Sequence, residues 1–88
     1  ISSIIIPKSV TEINYAAFYG CQNLKTIIME SQNPPILIKD NIEPDAFKDT
    51  PQTKIIYVPD NSVDTYINDS QWSKYERYIK PISEKPKD

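Results

Sequence analysis

The stretch Leu24-Lys25-Thr26-Ile27-Ile28-Met29 decides the fold, because related stretches stand on either side of it. Residues 1–6 read ISSIII and residues 53–58 read TKIIYV. Apolar side chains at alternate positions are typical of a short strand, and a further apolar residue three positions upstream is typical of a bend that leads into it. No such strand buries its face alone, so we expect three parallel strands that share one core. Their equivalent inward residues are Ile4, Ile27 and Ile56.

The segment between the first two strands predicts how successive layers connect. Val10 and Ile13 are spaced to face inward, and Phe18 has the size to fill the space between two layers. Gly20, the only glycine in the sequence, lies where a short helical turn must reverse into the second strand, so we expect a positive φ there. The spacing from Ile13 to Phe18 recurs within residues 42–47, which indicates a second copy of the unit.

Residue patterns divide the chain into repeats, a cap and a tail. Residues 1–59 carry about two and a half repeat units, with an insertion near residues 30–41 that we expect to loop outward and to add a short strand at Ile36 and Ile38. Residues 60–82 are predicted to form a helical C-terminal cap of two short helices or one interrupted helix, because apolar and aromatic residues follow there at helical spacing, with Ile79 as the last of them. Residues 83–88 are polar, and we expect a frayed tail.

Composition excludes several classes of function. The 88 residues suffice for one domain, and a net charge of −2 argues against a nucleic-acid partner, which needs clustered Lys and Arg. With no histidine and one cysteine, the usual zinc sites are excluded and Cys21 lacks an imidazole to activate it, so we predict no catalytic residue, metal or cofactor. No apolar run approaches the about 20 residues that span a bilayer, and no signal peptide opens the sequence. The sequence starts inside a repeat unit, and we therefore expect it to be the C-terminal part of a longer protein.

Two long stretches resemble the BspA-type leucine-rich repeat family. They are IIIPKSVTEI at residues 4–13 and AFYGCQNLKTI at residues 17–27, and the ending YVPDNSVDTY, followed by Trp72 and IKPI at 79–82, resembles the terminal cap of such arrays. The resemblance implies an α/β fold, a right-handed leucine-rich-repeat solenoid fragment with short parallel strands on its concave side. It also implies a secreted or cell-surface protein with a role in adhesion, and it carries no catalytic residues. Asn14 replaces the glycine usual at that position.

The concave side of the predicted sheet is the first candidate for a binding site. Ile5, Ile28 and Tyr57 lie between the inward positions of the three strands, flanked by Ser3, Thr26 and Ile55, and Lys25 and Lys54 lie at the rim. One interpretation is an ordinary β-branched strand surface that neighbouring domains partly cover. The other is a partner-binding strip, because contiguous exposed apolar area is uncommon on monomers.

Two further groups of residues in the cap have a structural and a functional interpretation. The aromatic residues at helical spacing are either core or a sugar-stacking platform: Tyr66, Trp72, Tyr75 and Tyr78. Asp60, Ser62 and Asp64 have the spacing of part of a calcium loop, but the glycine and the closing glutamate are missing, with Gln71 in place of the glutamate. Helix capping, with Asn61 or Ser62 as the N-cap, explains this second group better.

Three functional hypotheses remain for this sequence. The first is a non-catalytic interaction or adhesion module that binds a protein partner, such as host extracellular matrix or a host cell surface, through the concave face. The second is a structural cap or spacer in a larger surface protein. The third is a carbohydrate-binding accessory module, which would use the aromatic residues to bind a glycan.

Overall fold

A computed structural model describes residues 2–14, 17–18, 20–38, 47 and 50–86. The strands, in chain order, are β1 (Ser3–Ile6), β2 (Glu12–Asn14), β3 (Thr26–Met29), β4 (Ile36–Ile38), β5 (Ile55–Val58) and β6 (Ile79–Pro81). The helical elements are the α-helix α1 (Val63–Ile67) and the 3₁₀ segments Asp60–Ser62, Ser73–Tyr78 and Ile82–Glu84. Asp60–Ser62 runs directly into α1, so the cap has two separate helical segments, residues 60–67 and 73–78, which was one of the two predicted outcomes.

The main sheet is four-stranded and parallel, in the order β1-β3-β5-β6. Ile27 pairs in register with Ile4 on one side and with Ile56 on the other, which confirms their predicted equivalence. Ile27 and Ile56 are fully buried because period-two alternation turns both toward the shared core. The short parallel strands and the helix show an α/β repeat fold, and right-handed crossovers remain a prediction.

The strand β6 corrects the predicted cap. Helical spacing placed Ile79 on the same apolar face as Tyr75 and Tyr78, but the 3₁₀ segment ends at Tyr78 and Ile79 pairs with Ile56. Pairing covers the edge of β5 that would otherwise stay open. Pro81 has no N–H to donate, so it suits the last strand of the sheet.

The insertion is also built differently from the prediction. The strand at Ile36–Ile38 is confirmed, but it pairs in parallel with β2 to form a second, two-stranded sheet, and Leu37 is buried. Two cap side chains hold the segment before it: the Tyr66 hydroxyl donates to the Ser31 carbonyl at 2.8 Å, and the Trp72 indole N–H donates to the Pro35 carbonyl at 2.8 Å. An outward loop is therefore wrong for residues 31–38, while residues 39–41 lie outside the described part of the chain.

Gln71 closes the free edge of β4. Its side-chain Oε1 accepts from the Leu37 N–H at 2.8 Å, and its Nε2 donates to the Leu37 carbonyl at 2.7 Å. One amide side chain thus supplies both hydrogen bonds that an adjacent strand would have made. Sequence analysis considered Gln71 only as the residue that replaces the closing glutamate of a calcium loop.

Stacked aromatic rings form the centre of the core. The rings of Phe18 and Phe47 lie parallel within 3°, with centroids 5.0 Å apart, so phenylalanine fills the space between layers as predicted. Trp72 and Tyr75 meet Phe47 edge-on at 6.0 and 4.8 Å. Gly20 has φ of 75°, which confirms the predicted turn into β3.

The cap aromatics belong to this core. Tyr66 and Trp72 have no exposed surface, and Tyr75 and Tyr78 are also buried. The core interpretation is confirmed, and a sugar-stacking platform on these rings is wrong because no ring face is open to a ligand. Ser62 is the residue before α1, as predicted, but its hydroxyl donates to the Asn61 side chain at 3.3 Å and makes no cap bond.

Candidate interaction face

The outer sheet face is the side of the main sheet that carries Ile5, Ile28, Tyr57 and Lys80. These four residues are neighbours in register on β1, β3, β5 and β6, and therefore share one face. Ile5 is 56% exposed and Ile28 is half-buried, whereas Tyr57 is only 4% exposed. Lys80, on the strand that sequence analysis missed, is exposed.

The strap, residues 82–86, crosses this face. Ile82 lies at the ends of the strands, where it lines a cavity of about 420 Å³ with Ile28, Met29 and Pro59. Lys85 lies at the starts of the strands, beside Lys25. The Ser83 N–H donates to Asp60 Oδ1 at 2.9 Å and the Lys85 N–H to the Ile82 carbonyl at 3.0 Å, which fixes the turn. The expectation of a frayed tail is wrong for residues 83–86, and residues 87–88 lie outside the described part.

The strap explains why Tyr57 is not the exposed residue that the sequence predicted. Tyr57 shares a cavity of about 320 Å³ with Lys85 and Pro86. Its ring is therefore flanked by strap residues, while Ile5, two strands away, stays open. Ile5, Lys25 and Ile28 lie together on the accessible part of the face, so three of the five candidate residues are brought together.

Lys54 is not at an exposed rim, and this prediction is wrong. The side chain is only 5% exposed, its Nζ donates to the Pro51 carbonyl at 3.1 Å, and it lies 3.8 Å from the centroid of the Tyr78 ring. The aliphatic stem is buried while the ammonium group faces aromatic and carbonyl electron density. Arg77 lies 4.8 Å from the same ring and donates to the Tyr78 hydroxyl at 2.6 Å. Lys54 is thus part of the cap interface.

A groove at the starts of β1 and β3 contains the accessible candidates. This strand-start groove has a volume of about 470 Å³ and is lined by Ser2, Ser3, Ile5, Lys25, Thr26, Ile28 and Lys85. The Ser2 carbonyl accepts from the N–H groups of Lys25 and Thr26, at 2.8 and 3.1 Å, and so holds the two segments together. Sequence analysis placed Ser3 and Thr26 beside this face but missed Ser2 and Lys85, because neither belongs to an apolar period.

Cys21 and the metal-ligating side chains are the reactive groups that the sequence raised for this chain. Cys21 is a half-buried free thiol that packs against the core. Within the described ranges, no group of three His, Cys, Asp or Glu side chains is placed to hold a metal ion. Among the helices of those ranges, none has the length and apolar character to cross a bilayer.

Short parallel strands in register, layered phenylalanines and a terminal helical cap define an α/β repeat protein of the leucine-rich-repeat class. The family model described as "BspA type Leucine rich repeat region (6 copies)" matches residues 1–82, and the chain belongs to this family. No curated protein sequence matches the chain. Leucine-rich repeats are generally non-enzymatic folds that typically bind proteins, and the BspA-type family is often surface-associated.

Proposed function

We propose that this chain is a non-catalytic adhesion module that binds a protein partner through the outer sheet face beside the strap. The observation that carries the proposal is Ile5, a strand residue more than half exposed, next to half-buried Ile28 in a groove with a polar rim. An apolar centre bordered by polar groups is the usual anatomy of a protein interface. The part used is the strand-start side, because the strap flanks Tyr57.

Family membership supports a surface or secreted location, and with it a partner on a host cell surface or in the extracellular matrix. The burial of the cap aromatics removes the basis on which a glycan was considered. We retain right-handed crossovers, which nearly all parallel crossover connections have. We also propose the division of the chain into repeats, residues 1–59, and a C-terminal cap, residues 60–82.

A structural cap or spacer is the second candidate function. It is favoured by one observation: the same segment covers the edge of β5 with β6 and the edge of β4 with Gln71. A pure cap needs no exposed apolar residue on the outer sheet face. Binding measurements on two matched isoleucines therefore separate the two functions.

Ile5 and Ile36 provide the matched pair, since both are strand isoleucines, 56% and 57% exposed, on different sheets. Ile5→Ser and Ile36→Ser proteins would be measured by surface plasmon resonance against a panel of purified extracellular-matrix proteins. We expect about a tenfold loss of affinity for Ile5→Ser, which corresponds to about 1.4 kcal/mol, and less than about a twofold change for Ile36→Ser. An unchanged affinity in Ile5→Ser, or no binding by the parent chain, would favour the cap.

A further inference from the structure

The strand-start groove and the cavity beside Tyr57 share the same boundary. Lys25, Thr26 and Lys85 line both, one cavity of about 470 Å³ and the other of about 320 Å³. Lys25 precedes β3, and Lys85 comes from the strap, 60 residues later in the chain. Two positively charged side chains from distant segments therefore lie at the boundary between the two cavities.

No acidic side chain among the described residues balances these two lysines. The described lining of the two cavities contains serine, threonine, isoleucine, tyrosine and proline besides the lysines. Within the described ranges neither lysine forms an ion pair. Glu84 is exposed and lines neither cavity, and Glu30 lies at the opposite ends of the strands, in the third cavity with Lys8. The positive charge is thus concentrated where the strands begin.

We infer that the strand-start groove binds an extended acidic peptide segment that also carries an aliphatic side chain, and that the strap is part of this site. This inference rests on the proposed function and names the chemistry of its partner. Carboxylates of the peptide lie between Lys25 and Lys85, where charge-assisted hydrogen bonds form. The aliphatic side chain packs on Ile5 and Ile28, and Thr26 offers a hydroxyl at the boundary.

A peptide suits this site better than a polyanion. The whole chain carries a net charge of −2, so a long nucleic acid or sulfated polymer meets repulsion beyond the groove. Screening limits the attraction of the two lysines to roughly 8–10 Å at physiological salt, which is the scale of a short peptide segment. The two isoleucines would gain nothing from a polymer that presents only charge.

The test is an NMR titration of the 88-residue chain with two isosteric peptides, acetyl-Ser-Glu-Ile-Glu-Ser-amide and acetyl-Ser-Gln-Ile-Gln-Ser-amide. We expect the acidic peptide to shift the amide signals of Lys25, Thr26 and Lys85, and to bind about fivefold more tightly than the glutamine peptide. Raising the salt from 0.05 to 0.5 M should remove most of this preference. Equal affinities, shifts centred elsewhere, or no binding of either peptide would overturn the inference, as would tighter binding of a heparin fragment.

Lysine variants test whether the preference for the acidic peptide comes from the strand-start groove. Lys25→Gln and Lys85→Gln should each lower the affinity for the acidic peptide about two- to threefold and leave that for the glutamine peptide unchanged. Lys74→Gln is the matched control, because Lys74 is an exposed lysine of the cap that lines neither cavity. If Lys85→Gln, or removal of residues 83–88, tightened binding, the strap would be a competitor and the inference would be wrong.

The two proposals fail in different ways. If Ile5→Ser lowers binding to a matrix protein but the two peptides bind equally, the outer sheet face is an interaction site without an acidic preference. If the acidic peptide binds in the groove but no protein in the panel does, the chemistry of the site stands and the proposed class of partner is wrong.

Discussion

The Gln71 side chain is expected to carry a large share of the stability of this small domain. Its amide makes two hydrogen bonds of 2.8 and 2.7 Å to the backbone of buried Leu37. A protein hydrogen bond contributes about 1 kcal/mol net, so Gln71→Ala should lower the free energy of unfolding by about 2 kcal/mol. For a domain of this size that is a fall of roughly 8–16 °C in melting temperature.

Gln71→Glu adds a sharper test of the same geometry. At neutral pH a carboxylate oxygen would face the Leu37 carbonyl, and two acceptors repel, so this variant should be no more stable than Gln71→Ala. Only the protonated carboxyl can donate to that carbonyl, which raises the folded-state pKa of the introduced carboxyl above the unfolded value of about 4.3. Gln71→Glu should therefore be more stable than Gln71→Ala below the unfolded carboxyl pKa of about 4.3, and this advantage is lost as the pH rises through the folded-state pKa.

Urea unfolding followed by tryptophan fluorescence measures both effects, at neutral pH and at about pH 3.5, below the unfolded carboxyl pKa. Gln32→Ala is the control, since Gln32 is exposed before β4 and should change stability by less than about 0.5 kcal/mol. If Gln71→Ala matches Gln32→Ala, the amide does not close the strand edge. If Gln71→Glu shows no gain over Gln71→Ala at low pH, the donor to the carbonyl is unimportant.

Substitutions at three further positions test the layer corner and the cap by urea unfolding. Tyr66→Phe should cost about 1 kcal/mol at neutral pH. Burial, and secondarily Asp69, raises the pKa of Tyr66 above its unfolded value of about 10, so the stability of the parent protein falls above about pH 10. The Tyr66→Phe variant has no such hydroxyl, and this part of the fall should be absent from it. Gly20→Ala should cost about 1 kcal/mol from its φ of 75° alone, since an added Cβ meets no atom within 4 Å, and Gly20→Asn should cost less. Lys54→Met, which keeps the buried stem, should lose about 1 kcal/mol and Lys54→Ala about 2. Unchanged stability in Lys54→Met would mean that the ammonium group contributes nothing, and equal losses in the two variants would mean that the stem contributes nothing.

Local patterns predicted the parts of the fold that one strand or turn decides. Ile4, Ile27 and Ile56 were placed in register because alternation with one buried face leaves a single choice. Gly20 was identified because a reversal into a strand favours a residue that tolerates positive φ. Phe18 was placed between layers by its size and its distance from Ile13. These inferences needed only the local residues and the recurrence of the repeat, and no contact with the cap.

The errors came from contacts between distant segments. The insertion was misread because the groups that hold it lie on Tyr66, Gln71 and Trp72, 34 to 37 residues away in sequence. Ile79 fits helical spacing as well as strand pairing, and only the open edge of β5 decides between them. For the same reason Lys25 and Lys54, equivalent in the repeat, have different surroundings: Tyr78 of the cap covers Lys54, whereas no aromatic ring of the described ranges covers Lys25.

The same C-terminal segment ends the main sheet and forms one wall of the strand-start groove. Because β6 runs parallel to β5, the chain leaves the sheet at the ends of the strands, and β6 is the last strand of the main sheet among the described residues. The 3₁₀ turn Ile82–Glu84, tied to Asp60, turns it back over the outer sheet face. The turn brings Lys85 to the strand starts, beside Lys25. The segment that seals the core on one side thus contributes a wall of the candidate site on the other, and this is why the site was invisible in the repeats alone.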